Sequence, residues 1–310
     1  TLGDIDAIIL THAHDDHTAD FEAILSLFSK SRGDKRISLF MNLGASVKFS
    51  NLISKNEQII ERIEILNQDQ TFKLASNLEM KATKALHKDI LTETSGRGLL
   101  FRLKRGAKNY KLGVTGDTAF YVNTQNENGL DSSFENVDVL ALHLGSIHER
   151  EFELGDNFET HKYEGEHLGI RGIINLTFRC RPKLAIISEF GEELRELRPV
   201  IAHRMDGIFE NYDSTGNIRV IPGDIGLKVV FNRSIQVRCE ICGASVKLRD
   251  VGFTETLINH KIAYHCNRHK RAEIVDTFKT AEERELRIRA ESMGCSLDIN
   301  LPRYIAGVAH

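Results

Sequence analysis

The segment "THAHDDH", residues 11–17, directly follows the apolar run "IDAIIL". That run is typical of a buried strand, and the turn after it holds three histidines and two aspartates. Both residue types are natural ligands of zinc and similar divalent cations. Alternate side chains of such a turn can point into one cleft, so we expect His12 and His14 to share a face, with Asp16 and His17 one turn later. The pattern predicts a metal site; the alternative is a histidine-rich helix N-cap that arises by chance.

The spacing of this motif also indicates a reaction. Two ions about 3.5–4 Å apart can hold a bridging hydroxide at neutral pH and clamp the oxygens of the bond that breaks. Since His12 and His14 suit one ion while Asp16 and His17 can reach a second, the motif favours a metal-dependent hydrolase. Asp16 is thus a candidate both as a ligand and as a catalytic residue.

Two later strand ends extend the motif. The segment "MKATKALHKD" places His87 at the end of a strand, and "KLGVTGDTAF" places Asp117 in a turn after a predicted hairpin. Together with the first motif, these segments of residues 5–231 resemble the metallo-β-lactamase superfamily. The resemblance implies an αββα sandwich of the α/β (α+β) class with two divalent metals, Zn²⁺ or Mn²⁺, at one edge of the two sheets. It also implies that His12, His14 and His87 hold one ion and that Asp117 bridges to the second.

The chain departs from that family pattern in two places. The family has a β-rich half-sheet before its first motif, where this chain offers only about ten residues. That half-sheet is therefore missing from the sequence, or a protein partner completes it. The last family ligand is a histidine at a strand end, where "KLAIISEFGEEL" presents Glu189. As a ligand, this carboxylate would shift preference towards harder metals such as manganese or magnesium; the alternative is a salt-bridged strand end and a weakened second site.

Further histidines follow predicted strands or loops. His143 ends the strand "VLALHLGS", where it can ligate a metal, orient a substrate or satisfy a backbone group. His167 begins a predicted helix, and similarity to the ribonuclease Z-like phosphodiesterase branch makes it the candidate proton donor to the leaving group. The remaining histidines before residue 235 are interpreted as surface residues: His148, His161 and His203.

A second metal candidate lies near the carboxyl end. "RCEICG" and "YHCNRHK" place two residues between Cys239 and Cys242, and two residues between Cys266 and His269. Two such half-sites predict a closed structural Zn²⁺ site in a zinc-ribbon-like module. Competing fourth ligands are His260 and His265, and the alternative is a loop with unrelated cysteines. The other two cysteines, Cys180 and Cys295, are predicted to be small buried side chains.

These patterns divide the chain into a hydrolase domain over 1–234, a zinc module over 235–275 and a charged helix with a tail over 276–310. We also expect a helix over 46–63 and a strand pair around a Gly-Asp turn within 218–231. With a net charge of −3, the chain has no global basic field, although a local basic groove can exist within that total. The cysteine usage and the lack of a long apolar segment predict a cytoplasmic protein without a membrane partner.

Three functions remain open at this point. The motif order, His167 and the zinc module favour a phosphodiesterase or nuclease whose partner is RNA, DNA or a cyclic nucleotide. The second hypothesis is a lactone, thioester or amide hydrolase with the same metal chemistry. The third is a binding or regulatory module whose metal site has degenerated.

Overall fold

The computed structural model describes residues 4–31, 35–91, 95–120, 130–145, 167–212, 217–256 and 261–269. The predictions for His148, His161, His260, Cys295 and the helix within 276–310 fall outside these residues. The chain forms two compact units, one of residues 1–223 with 231–233 and the other of residues 224–230 with 234–310. The division into a hydrolase domain and a zinc module stays a prediction.

The first unit contains two β-sheets and helices. The strands are β1 (Ala7–Leu10), β2 (Ile37–Met41), β3 (Ile60–Ile65), β4 (Thr71–Ala75), β5 (Leu78–Lys88), β6 (Ser95–Arg105), β7 (Lys108–Val114), β8 (Val139–Gly145), β9 (Leu184–Phe190) and β10 (Arg219–Pro222). The helices are α1 (Asp15–Thr18), α2 (Phe21–Ser31), α3 (Leu43–Lys48), α4 (Ser50–Lys55), α5 (Leu130–Ser133), α6 (Gly169–Cys180) and α7 (Arg198–Tyr212). Short 3₁₀ helices cover Glu57–Ile59 and Glu192–Leu197.

The smaller sheet is parallel, in the order β1-β2-β3. Its central strand is buried along its whole length, as parallel strands covered on both faces usually are. Leu39 and Met41 pack with helical residues such as Leu25, whereas Phe40 points the other way, towards Met80 of the larger sheet. Alternate side chains of β2 therefore contribute to two hydrophobic layers. One layer lies between the helices and the smaller sheet, and the other lies between the two sheets.

The larger sheet has seven strands in the order β10-β9-β8-β7-β6-β5-β4. The strands from β4 to β7 are antiparallel, and those from β7 to β10 are parallel. On this second half of the sheet, α6 packs against β8 and α7 against β10. The predicted αββα sandwich and the β6–β7 hairpin are confirmed. The carboxyl ends of β1, β5, β7, β8 and β9 carry the candidate metal ligands.

Three local predictions differ from the structure. The helix expected over 46–63 is divided at Phe49 and ends at Lys55, because the β-branched isoleucines of 60–65 lie in β3 beside β2. The strand pair expected within 218–231 is wrong, because β10 pairs in parallel with β9. Helix α7 was not anticipated, although Pro199 lies in its first turn, where proline is tolerated.

The remaining strands are short, and all of their residues except Phe231 belong to the second unit. They are β11 (Val229–Phe231), β12 (Ile235–Arg238), β13 (Ser245–Lys247), β14 (Val251–Glu255) and β15 (Ile262–Cys266). The first three form a sheet in the order β11-β12-β13, and the last two form a separate hairpin. The Asp224 carboxylate accepts a hydrogen bond from the Ile262 amide (2.7 Å), which ties the start of this unit to β15.

Among the residues that the structure describes, no helix is both long and apolar enough to cross a bilayer. The cytoplasmic location stays a prediction.

Two glycines in neighbouring strands make room for one aromatic ring. Phe134, fully buried after α5, packs against Gly98 of β6 and Gly113 of β7. A Cβ atom at Gly113 would lie 2.7 Å from Phe134 Cδ1 and 2.7 Å from Leu140 Cδ1. Such contacts are too short, so any larger residue must displace the ring.

We therefore expect Gly113→Ala to lower the free energy of unfolding by about 1–3 kcal/mol, the usual cost of overpacking a core. In a Phe134→Leu background the added cost should be smaller, since the ring that clashes is gone. Urea denaturation followed by circular dichroism measures both. Gly207→Ala in α7, where a Cβ atom meets nothing within 4 Å, is the matched control and should be neutral or stabilising. Equal costs in the two backgrounds would contradict this account.

Candidate metal centre

The first ligands lie where β1 ends and α1 begins. His12 is 1% exposed, and its Nδ1 lies 3.2 Å from the Thr11 hydroxyl. His14 is the N-cap of α1, and its carbonyl accepts hydrogen bonds from the His17 amide (3.2 Å) and the Thr18 hydroxyl (2.8 Å). This single helical turn brings His17 back towards His12, and their ring centroids are 4.1 Å apart. The short helix thus gathers all three histidines of the motif on one side.

His87 joins this group from the larger sheet. It is buried near the end of β5, and its Nε2 lies 3.1 Å from His14 Nδ1. The ligand atoms of His12, His14 and His87 all lie within 4.8 Å of one another. Two nitrogens at about 2.0–2.1 Å from one tetrahedral ion would be about 3.3–3.4 Å apart. The spacing of these imidazoles is thus suited to a shared cation.

His12 offers an independent test of that fit. Its Nε2 is buried and has no hydrogen-bond partner in the structure. A buried polar atom without a partner is costly, and a metal ion would satisfy it. Burial, together with the neighbouring His17, lowers the pKa of His12 to about 3, so the imidazole is neutral and able to ligate at physiological pH.

Asp117 lies at the centre of the cluster. It follows β7 after Gly116, whose φ of 60° suits glycine and where a Cβ atom would lie 2.8 Å from the Arg97 carbonyl oxygen. The Asp117 side chain is 2% exposed. Five imidazole nitrogens lie within 4 Å of its carboxylate oxygens: His17 (3.0 Å), His143 (3.1 Å), His167 (3.3 Å), His12 (3.7 Å) and His87 (3.9 Å).

These contacts set the charge of the carboxylate. Burial alone would raise the pKa of Asp117, but hydrogen bonds from three histidines hold that pKa well below its usual range. Burial likewise opposes charge on His143, yet its hydrogen bonds to Asp117 and Glu189 raise its pKa to about 9. The carboxylates of Asp117 and Glu189 therefore concentrate negative charge at the point where divalent cations would be held.

Glu189 lies at the end of β9 and faces the same cluster. Its carboxylate is 2.6 Å from His143 Nδ1 and 3.1 Å from His17 Nε2. The backbone of Glu189 has a φ of 53°, a left-handed conformation that costs a non-glycine residue about 1–3 kcal/mol. Strain of this kind is typical of functional positions, which favours Glu189 as a ligand over a simple strand-end ion pair.

The other side chains predicted from the sequence lie in further groups that overlap with those above. The ligand atoms of Asp16, His17 and Glu189 lie within 4.8 Å of one another, as do those of His87, Asp117 and His167. Asp16 itself is exposed, with 72% of its side chain accessible, and lies 3.7 Å from His17. In the second unit, Cys239, Cys242, Cys266 and His269 form a separate cluster. Their roles as ligands stay predictions, whereas His203 is exposed and Cys180 buried, as expected.

The residues that hold the loop of residues 11–17 in place were not recognised from the sequence. Asp89 is 7% exposed, and its carboxylate accepts hydrogen bonds from the Ala13 amide (2.9 Å) and from Asn42. Gly44 leaves the space for it, since a Cβ atom there would overlap Asp89 Oδ2. On the other side, Lys48 Nζ donates to the Ala13 carbonyl (2.6 Å). Ala13, between His12 and His14, is thus held at both its amide and its carbonyl.

A signal for this support was present in the sequence. Asn42 directly follows β2, and Asp89 lies two residues after His87. Polar residues at the ends of buried strands are unusual unless they serve a site or a cap. Burial would raise the pKa of Asp89, but hydrogen bonds from Asn42 and from two backbone amides hold it below its usual value. Asp89 is therefore a charged acceptor for the loop.

We expect Asp89→Asn to weaken divalent-metal binding by about 10–100-fold, the usual effect of losing support for metal ligands. The carboxamide keeps the size of the carboxylate but places a donor where one of two acceptors is needed. Competition with a chromogenic chelator measures the affinity. Asp69→Asn, at an exposed carboxylate paired with Lys81, is the control and should leave it unchanged. Equal affinities for the two variants would show that Asp89 has no such role.

A second prediction concerns Glu189. We expect Glu189→Gln to weaken one of two bound ions by about 10-fold or more, because a carboxamide is a poorer ligand than a carboxylate. Glu189→His should restore binding and shift the preference from Mn²⁺ towards Zn²⁺. Calorimetric titration with each ion separates the two sites, and Glu210→Gln on the exposed face of α7 serves as the control. Unchanged binding of both ions in Glu189→Gln would identify Glu189 as a salt-bridging residue only.

Comparisons with known proteins identify the family of the chain. A family model described as the beta-lactamase superfamily domain matches residues 1–188. No curated protein matches the chain. Among solved structures, yeast PDE1 is similar with 13% identity and a TM-score of 0.51, over 71% of this chain and 66% of that chain. Human tRNase Z, short form, is similar with 16% identity and a TM-score of 0.46, over 63% of this chain and 76% of that one.

A diphosphatase from the PhnP family is similar with 16% identity and a TM-score of 0.39, over 59% of each chain. These identities are low, so the likeness to yeast PDE1 supports the fold alone. The family model, in contrast, spans more than half of the 310 residues and includes the segments of His12, His87 and Asp117. The chain therefore belongs to the β-lactamase superfamily, a group of metal-dependent hydrolases with this sandwich fold.

Proposed function

We propose that this chain is a metal-dependent phosphodiesterase whose substrate is RNA, DNA or a cyclic nucleotide. The observation that carries the proposal is the position of His167. Among the five histidines around Asp117, His167 has the most accessible side chain, 34% against 17% or less for the others. A group that donates a proton to a leaving oxygen must reach both the reacting atoms and water.

The local structure holds His167 in that position. Its ring packs on Gly145 at the end of β8, where a Cβ atom would lie 2.4 Å from His167 Cγ. Its Nε2 lies 3.3 Å from Asp117 Oδ2. This nitrogen therefore faces the cluster where the bond would break. His167 thus suits the role of proton donor to an alkoxide leaving group.

The remaining residues have the roles that their positions suggest. His12, His14 and His87 would hold one cation, Asp16, His17 and Glu189 a second, and Asp117 would contact both. Divalent cations in such a site lower the pKa of water and neutralise charge on the phosphoryl oxygens. His143, hydrogen-bonded to both Asp117 and Glu189, would orient the two carboxylates or act as a further ligand.

The basic segment "FRCRPK", residues 178–183, does not add clear support for a long nucleic acid as the substrate. Its Arg179 is paired with Asp131 (3.0 Å) and its Lys183 with Asp138 (2.6 Å). The proposal therefore depends on the cluster around Asp117 and not on a basic surface.

Purified full-length protein loaded with Zn²⁺ or Mn²⁺ tests the proposal against bis-p-nitrophenyl phosphate, RNA, and panels of lactones and thioesters. Cleavage of phosphodiesters above the other classes supports it. Preference for lactones or thioesters would move the assignment to the second hydrolase class. Metal at the cysteine cluster alone, with no hydrolysis, would identify a degenerate binding module.

Substitution of His167 tests the donor role separately. We expect His167→Gln to reduce RNA cleavage by about 10²–10⁴-fold, the usual contribution of general acid catalysis, with metal content unchanged. Cleavage of bis-p-nitrophenyl phosphate should fall much less, because p-nitrophenolate leaves without protonation. His203→Gln, at an exposed histidine of α7, is the control. If both activities fall equally and one metal is lost, His167 is a ligand instead of a donor.

A further inference from the structure

The two half-sites of the second unit each have the form of a tight metal-binding turn. At the end of β12, the Cys239 amide donates to the Ala244 carbonyl (2.8 Å) and the Gly243 amide donates to the Cys239 carbonyl (2.9 Å). Gly243 has a φ of 70°, which glycine adopts without strain. The backbone therefore turns back on itself immediately after Cys242, and both sulfur atoms of this turn can face one point.

The second half-site repeats this arrangement at the end of β15. Cys266 is the last residue of the strand, and the His269 amide donates to the Cys266 carbonyl (3.2 Å). The turn brings the imidazole of His269 back beside the thiol of Cys266. Each strand therefore ends in a turn with two donors, three residues apart in sequence.

The four donors converge. The Sγ atoms of Cys239, Cys242 and Cys266 and a ring nitrogen of His269 all lie within 4.8 Å of one another. Cys242 Sγ and Cys266 Sγ are 4.0 Å apart. Sulfurs at about 2.3 Å from a tetrahedral Zn²⁺ would be about 3.8 Å apart, whereas a disulfide needs about 2.05 Å. The spacing is that of metal ligands, and all three cysteines are free thiols.

An independent observation comes from His269. Its Nε2 is buried without a hydrogen-bond partner in the structure. Because an orphaned buried nitrogen is costly, this atom needs a partner, and the three thiols lie beside this imidazole. A cation between them would satisfy the nitrogen and the sulfurs together.

The competing histidine of this segment points elsewhere. His265 precedes Cys266 in β15, so strand alternation places it on the opposite face. Its ring covers Gly252, where a Cβ atom would lie 2.3 Å from it, and its Nε2 lies 3.1 Å from the Thr254 hydroxyl. His269 is therefore the fourth donor among the described residues.

The surroundings also match the charge of such a site. Three thiolates and one Zn²⁺ leave a net charge of −1, and the guanidinium of Arg268 lies 3.7 Å from Cys242 Sγ. Glu240, between the first two cysteines, ties the half-sites together. Its carboxylate accepts hydrogen bonds from the Tyr264 amide (2.9 Å) and from Lys261 Nζ (2.9 Å), and its own amide donates to the Tyr264 carbonyl (2.9 Å).

We propose that the second unit holds one structural Zn²⁺ through Cys239, Cys242, Cys266 and His269, separate from the hydrolytic centre. Four protein ligands close the tetrahedral shell and leave no position for a reacting water. The ion therefore stabilises the fold of this unit by joining the ends of β12 and β15, and it takes no direct part in hydrolysis.

Cobalt substitution tests this site without reference to activity. In full-length protein loaded with Co²⁺, we expect thiolate-to-cobalt charge-transfer bands in the near ultraviolet. These bands should disappear when Zn²⁺ displaces the bound Co²⁺. The centre around Asp117 has only nitrogen and oxygen donors and cannot produce these bands. Loss of amide-exchange protection in residues 235–256 after chelation, with β5–β7 unchanged, is the expected structural consequence.

Variants assign the bands to these residues. Cys242→Ser should weaken or abolish them, whereas His269→Cys should preserve cobalt binding with stronger bands, since it adds a fourth thiolate. Cys180→Ser in the first unit and His265→Gln should leave the spectrum unchanged. The proposal is overturned if the wild-type protein shows no charge-transfer band, if Cys180→Ser removes it, or if Cys242→Ser and His265→Gln give the same spectrum.

Discussion

A buried carboxylate surrounded by imidazoles is the constraint on which the candidate centre depends. A lone charged Asp117 in this position would be strongly unfavourable, because burial removes the water that solvates it. Five histidines from four segments of the chain lie within 4 Å of its oxygens, and hydrogen bonds from His17, His143 and His167 compensate the loss of water. The two sheets, the loop of residues 11–17 and the start of α6 must all be correctly placed for these imidazoles to reach Asp117.

The sandwich makes this meeting possible through strand direction. In parallel strands the carboxyl ends lie at one edge, so β8 and β9 deliver His143 and Glu189 side by side. The loop after β1 reaches the same edge and is held there through Ala13 by Asp89 and Lys48. Strain at Glu189 and the close contact of His167 with Gly145 show that positioning the site is not free of cost to the fold.

Sequence patterns predicted the elements whose hydrophobic period is clear. They failed where the pairing of strands distant in sequence determines the structure. The strand ends with His87 and Asp117 were recognised because their order and setting after the first motif resemble the metallo-β-lactamase superfamily pattern. The split of 46–63 into two helices and a strand depends on the pairing of β3 with β2, which is not encoded locally. Likewise, β10 could not be assigned to β9 from the turn after it alone.

For the site, the sequence identified groups that carry metal chemistry but not those that support them. Asp89 accepts a hydrogen bond from the amide of Ala13, 76 positions earlier in the sequence, and Asn42 in turn donates to Asp89. Only the fold brings these three residues together. The cysteine half-sites were easier to recognise, since spacing within each turn is itself the signal. The choice between His265 and His269 as the fourth donor depends on strand alternation in β15, which places His265 and Cys266 on opposite faces.

The most direct test of a shared two-metal centre is anomalous diffraction at the metal absorption edge from crystals of the full-length protein loaded with Zn²⁺. The account predicts two strong peaks beside Asp117, one among His12, His14 and His87 and the other close to His17 and Glu189. A map with no peak there, or with His87 or Asp117 turned away from the loop of residues 11–17, would contradict it.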